Sequence, residues 1–178
     1  NKDKTREELI KQLEVLQKDY NSGKVLFEKE ISGLKESLKI VARSEEKFRK
    51  AYMTSPDSIN INRLSDGMYV SINEGFSKIT GYSEEDTIGK TSLEMNIWLS
   101  PDERSTLVNE IKAKGEVRNF ESRFLAKNGT KIDGLIAASL IELDGVPHIL
   151  SVIRDITAQK KAEEALIQER NLINAIMN

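Results

Sequence analysis

The chain has 178 residues, a net charge of −2 and no cysteine. That length suits one ordinary domain with some extra chain; the near-neutral charge argues against a nucleic-acid partner, and the missing cysteine excludes disulfides, thiolate metal sites and cysteine nucleophiles. With 31% charged and 38% hydrophobic residues, and no apolar run near the roughly 18 residues that cross a bilayer, the fragment reads as a membrane-free, cytoplasm-facing piece of something longer.

Residues 1 to about 50 contain no proline and follow a helical rhythm. Leu9, Leu13, Leu16, Tyr20, Gly23 and Phe27 alternate steps of four and three, and Ile31, Leu34, Leu38 and Val41 resume them after a one-residue skip. Such a stripe is a coiled-coil seam and predicts a homodimer through helices. "YNSG" at 20–23 also permits a hairpin, so one helix and two both remain open.

From residue 55 to 157 the period changes from seven to two. Asp66-Gly67, Asn128-Gly129 and Asp144-Gly145 mark tight turns between strand-like runs. They predict five strands, two and then three. The helices fall between the two groups. "NEGFSKITGY" stops at Gly81, "SEEDTIG" opens on a capping Ser83, and "SPDERSTLVNEIKAKG" has Ser100 as cap, Pro101 in first position, Glu103 closing a capping box and Gly115 as stop. Residues 158–178 return to heptads through Ala158, Ala162, Ala165, Glu169, Leu172 and Ile176, with Thr157 as the expected N-cap. The resulting class is α+β: antiparallel strands with helices over one face. The boundaries are 1–43 for a coiled-coil helix, 44–157 for the globular domain and 158–178 for an exit helix.

From Ser44 to Thr157 the chain resembles a PAS domain of the sensory-box kind. "SEEKFRKAYMTSPDSI" is similar to the family's entry helix and first strand, "INEGFSKITGYSEEDTIGK" to its most recognisable stretch, "FLAKNGTKI" to the hairpin between strands three and four, and "VIRDITAQKKAEEAL" to the closing strand and signalling helix. The resemblance implies a sheet of order 2-1-5-4-3 and a pocket between sheet and helices. It also implies a sensor or dimerisation role, most often upstream of a histidine kinase. Photosensing relatives join a flavin to a cysteine, which is absent here. Haem-binding relatives use a histidine on the long helix before the third strand, and "DERSTLVNEIKAK" has none. Neither covalent flavin nor haem is expected, and the cofactor remains unknown.

The one histidine, His148, is expected at the surface or a sheet edge, and nothing resembles a nucleophile with its base, so the fragment is expected to be non-catalytic. Phe76, Ile79, Met95, Trp98, Leu107 and Ile111 are the candidates to line the helical side of the pocket, although plain core is the more ordinary reading of each. On the third strand either Phe120, Ser122 and Phe124 or Asn119, Glu121 and Arg123 face the helices; in the second case Glu121 and Arg123 pair with each other or with a ligand. Ser139 and Ser151 are further polar candidates. The family's Asp-Ile-Thr residues hold the exit helix to the core, which carries over to Asp155 and Thr157. The functions in competition are a pocket-sensing module, a constitutive scaffold with a filled core, and a sensor holding non-covalent flavin. "QERNLINAIMN" repeats the framework of "SEEKFRKAYMT" at an offset of 124 residues, which predicts a second module of the same kind next in the chain; the alternative is a kinase helix.

Overall fold

The computed structural model describes residues 2–177. Helix α1 runs unbroken from Lys2–Thr54, so the Asn21–Gly23 stretch is helical and no hairpin forms there. The chain divides into two compact units, one ending at Arg49 and one starting at Lys50. In the first, the seam residues Leu13, Leu16, Tyr20, Phe27, Leu34 and Leu38 are all exposed.

The second unit is built on strands β1 (Ser58–Arg63), β2 (Tyr69–Ile72), β3 (Glu116–Leu125), β4 (Lys131–Leu143) and β5 (Val146–Asp155), with helices α2 (Glu74–Thr80), α3 (Glu84–Thr87) and α4 (Pro101–Lys114) between β2 and β3 and α5 (Thr157–Met177) after β5. The sheet is antiparallel, in the order β2-β1-β5-β4-β3. All three Gly-containing turns form: Gly67, Gly129 and Gly145 have positive φ, and Asp144 joins Gly145 there with φ of 51°, the pairing that a type I′ hairpin requires. A bulge between Val117 and Phe120, with Asn119 at φ of 56°, separates the start of β3 from its regular part.

Side chains alternate across the strands. Residues 58 and 60 of β1, 122 and 124 of β3, 132, 136 and 138 of β4 and 149 and 151 of β5 are buried on the face that α2 and α4 cover. Phe76, Leu107, Ile111, Ile136 and Ile149 form the centre of one apolar core. The long helix starts as expected at Ser100, which accepts from the Glu103 N–H. Its capping box does not close: the Glu103 carboxylate instead accepts from the Ser122 hydroxyl at 2.5 Å, binding α4 to β3. The closed box is at Ser83 and Asp86.

One buried amide ties three elements together. The Asn73 Oδ1 accepts from the backbone N–H of Phe76 at 2.9 Å, capping α2, and from that of Ile59 at 2.8 Å, in β1. Its Nδ2 donates to the carbonyls of Tyr52 and Asp57, each at 3.0 Å. Gly75 lets this corner close, because a Cβ there would collide with the Asp57 carbonyl oxygen. Each hydrogen bond is worth about 1 kcal/mol, more where loss orphans a buried donor. We therefore expect Asn73→Ala to cost about 3 kcal/mol in urea unfolding. A loss below about 1 kcal/mol would show that water replaces the amide in all four bonds.

Candidate functional site

A cavity lies between the inner face of the sheet and the helices. About 70 Å³ is open to the centres of water-sized molecules, several times the roughly 10–15 Å³ that houses one water. Its walls are mainly apolar: Phe76 and Ile79 from α2, Leu107, Val108 and Ile111 from α4, Ile97 and Trp98 from the preceding loop, and Phe124, Ile132, Ile136, Ile149 and Ile153 from the sheet. Trp98 packs edge-to-face on Phe124, ring centroids 4.8 Å apart, an arrangement the aromatic quadrupole favours.

Of the nine pocket candidates read from the sequence, six line this cavity: Phe76, Ile79, Trp98, Leu107, Ile111 and Ser151. Three do not. Met95 is buried in the core beside it, and its carbonyl accepts from the Tyr82 hydroxyl. Arg123 is exposed, because Ser122 and Phe124 take the inward positions of β3. Ser139 faces away for the same reason: its neighbour Ala138 is the residue that stands opposite the inward Ser151. The charged set on β3 is thus the outer one. Glu121 pairs there with Lys160 of α5, at 2.6 Å, and that carboxylate holds the lysine above its ordinary range. His148 is neither exposed nor at an edge. It is buried on β5, a strand flanked on both sides, with Nδ1 2.8 Å from the Val146 carbonyl oxygen.

Several polar residues of the cavity were missed. Ser58, Asn60 and Asn62 line it from β1, Tyr69 from β2, and Arg104 from α4. The signal was present in "SININR", where polar and β-branched residues alternate. The usual reading turns the polar side to water, but here it faces the cavity. Arg104 was legible at helical spacing from Leu107, Val108 and Ile111. Its Nε donates to Ser92 at 2.9 Å, and its guanidinium lies against Gly67, where a Cβ would stand within contact distance of Nη2. Burial pushes the Tyr69 hydroxyl pKa up, and the Arg104 charge opposes that shift.

At the far end of β5 the chain turns directly into α5. Thr157 does not cap this helix. Its hydroxyl accepts from the Asp133 N–H of β4 at 2.9 Å, while the Ile156 N–H donates to the Asp133 carbonyl at 2.8 Å. The capping contact comes from Asp155, whose carboxylate accepts from the Thr157 N–H at 2.9 Å. The physical reason is reach: β4 lies alongside β5, so its open N–H at Asp133 meets the threonine before any helical N–H does. The same Asp133 peptide edge thus holds both Ile156 and Thr157.

A five-stranded antiparallel sheet closed over a small cavity, its central strand running without a loop into a departing helix, defines a sensory-module architecture. The chain belongs to the PAS domain family, whose sequence profile it matches over residues 56–158. It is 34% identical, over 125 residues, to the methyl sulfide methyltransferase-associated sensor of Methanosarcina acetivorans, covering 68% of this chain and 12% of that protein. It is 30% identical, over 141 residues, to the sensor histidine kinase TmoS of Ectopseudomonas mendocina, covering 76% of this chain and 14% of that one. The chain therefore spans about an eighth of the length of these relatives. Among solved structures, the PAS domain of an HTR-like protein from Haloarcula marismortui superposes with a TM-score of 0.59 at 21% identity, over 68% of this chain and 99% of that one.

The junction geometry makes a direct prediction. Thr157→Val keeps the side-chain shape and removes the acceptor for Asp133, so unfolding stability should fall by about 1 kcal/mol. Amide hydrogen exchange at Asp133 should accelerate, while that of Ile136 stays unchanged. Unaltered protection at Asp133 would mean the threonine does not hold the joint.

Proposed function

We propose that this chain is a sensory and dimerisation module of a cytoplasmic signalling protein, in which the state of the cavity is passed through β5 and the Asp155–Thr157 junction to α5. The output is a histidine kinase further along the chain, reached directly or through a second module of the same kind. The observation that carries this reading is the continuity of β5. Ile149, Ser151 and Ile153 line the cavity, and three residues after Ile153 the same strand becomes the joint of α5. A displacement of β5 by an occupant has no loop in which to dissipate. The open cavity favours a sensor over a scaffold with a filled core. Relatives that are a sensor and a sensor histidine kinase support the signalling context.

Pairing of two chains is proposed through α1. Leu9 to Val41 expose a heptad stripe that a monomer leaves wet, and a coiled-coil partner buries it. The boundaries proposed are 1–43 for this coil, 44–157 for the PAS core and 158–178 for the exit helix.

Two outcomes test the proposal. In the parent protein, Asp155→Ala should leave the core folded, since its carboxylate bonds only at the joint, and should change output in the resting or stimulated state. Output equal to wild type in both states would remove Asp155 from the signal path. Deleting residues 1–40 should lower the association constant measured by sedimentation while the far-UV signal of the sheet persists. A full fragment that sediments as a monomer at high concentration would exclude the coil.

A further inference from the structure

Three polar side chains of the cavity, those of Ser58, Asn60 and Asn62, follow one another along the inner side of β1. Ser58 and Asn60 stand two residues apart on the inner side of β1, and Ser151 pairs with Asn60 across β5. Ser58 is 2% exposed, and its Oγ is the one buried side-chain oxygen or nitrogen among the described residues that has no hydrogen bond. A buried hydroxyl left unsatisfied is costly, and native proteins rarely keep one without a use. The line continues toward Asn62, whose Nδ2 donates to the Gly67 carbonyl, and Gly67 is the residue against which the Arg104 guanidinium lies. Arg104 takes part in none of the ion pairs of the described residues, and its only side-chain hydrogen bond goes from Nε to the neutral Ser92. A cation thus stands at one end of an apolar cavity without a counter-charge. The patch of Ser58, Asn60 and Ser151 begins about 7 Å along the strand from Asn62.

Resting on the reading of this cavity as the sensory pocket, we propose that its ligand is a small monocarboxylate. The carboxylate pairs with Arg104, the apolar body lies against Ile79, Leu107 and Ile136, and a second polar group at the far end meets Asn60, Ser151 and Ser58. A single arginine matches a single carboxylate, through two parallel charge-assisted bonds from its free nitrogens. A phosphate monoester would bring about two charges against one cation, into walls that are otherwise apolar. A neutral molecule would leave the guanidinium as it is now. The space for a few water-sized molecules suits one ring or a short chain.

The test uses calorimetry on the 178-residue chain, with Trp98 emission as a second readout because the indole lines the cavity. The probes are 4-hydroxybenzoate, 4-hydroxybutyrate, the neutral isostere 4-hydroxybenzamide and inorganic phosphate. At least one acid should bind saturably with a change in Trp98 emission. Where 4-hydroxybenzoate binds, it should do so about tenfold or more tightly than its amide. Arg104→Gln should abolish the acid's advantage over the amide, Arg104→Lys should retain part of it, and Ser58→Ala should weaken the hydroxylated acid. Should Arg104→Gln fail to fold, the acid–amide comparison on the wild-type chain still decides the question. An amide that binds as well as its acid, or phosphate that binds better than either acid, overturns the carboxylate assignment and leaves the sensory pocket standing. Absence of binding by every probe overturns the assignment, and the Asp155→Ala signalling assay then judges the module reading separately.

Discussion

The Asn73 amide is the constraint on which the arrangement rests. A helix arriving from α1, a strand leaving as β1 and a helix beginning as α2 meet at one corner, and each brings backbone groups that its own element does not satisfy. Buried groups of that kind must be paired. Asn73 accepts from two N–H groups and donates to carbonyls on both sides of residues 52–57. An asparagine suits this because it has an acceptor and two donors on one planar group; aspartate would turn a charge toward the carbonyls. With the corner closed, β1 is fixed between β2 and β5 and its inner side chains are fixed in the cavity.

From that placement follows an inversion of the ordinary amphipathic strand. β1 turns Ser58, Asn60 and Asn62 inward and Ile59 and Ile61 outward. An inward polar row makes poor core, and the protein tolerates it because the row borders space rather than packed atoms. The cost of the unsatisfied Ser58 hydroxyl and of the half-buried, unpaired Arg104 is of the kind that functional sites carry and structural ones shed.

The two ends of β5 answer different needs. Its middle, at Ile149 to Ile153, borders the cavity. Its end, at Asp155, is paired with Gly134 of β4, and the next two residues are held by the Asp133 peptide. The exposed pair Lys160–Glu121 ties α5 to β3, and Arg154–Asp57 ties the end of β5 to the segment before β1, each of little strength in water. The joint therefore depends on backbone and hydroxyl bonds of fixed length, which transmit a displacement better than long charged side chains.

Residue order alone determined the local features: the turns at Gly67, Gly129 and Gly145, the caps at Ser83 and Ser100, the stop at Gly115, the five strands and the direct passage from strand to helix. Each rests on neighbours within a few positions, where φ preference and capping chemistry act. Only the tertiary structure decided which side of each strand faces inward, since alternation has the same period on both faces and the choice depends on register against a partner strand. That is why Arg123 and Ser139 stand outside the cavity while Ser58, Asn60 and Arg104 stand in it, and why His148 is buried. Thr157 follows the same rule: its sequence neighbours offered a helix to cap, but the nearest open N–H belonged to Asp133, twenty-four residues earlier in the chain and one strand away in space.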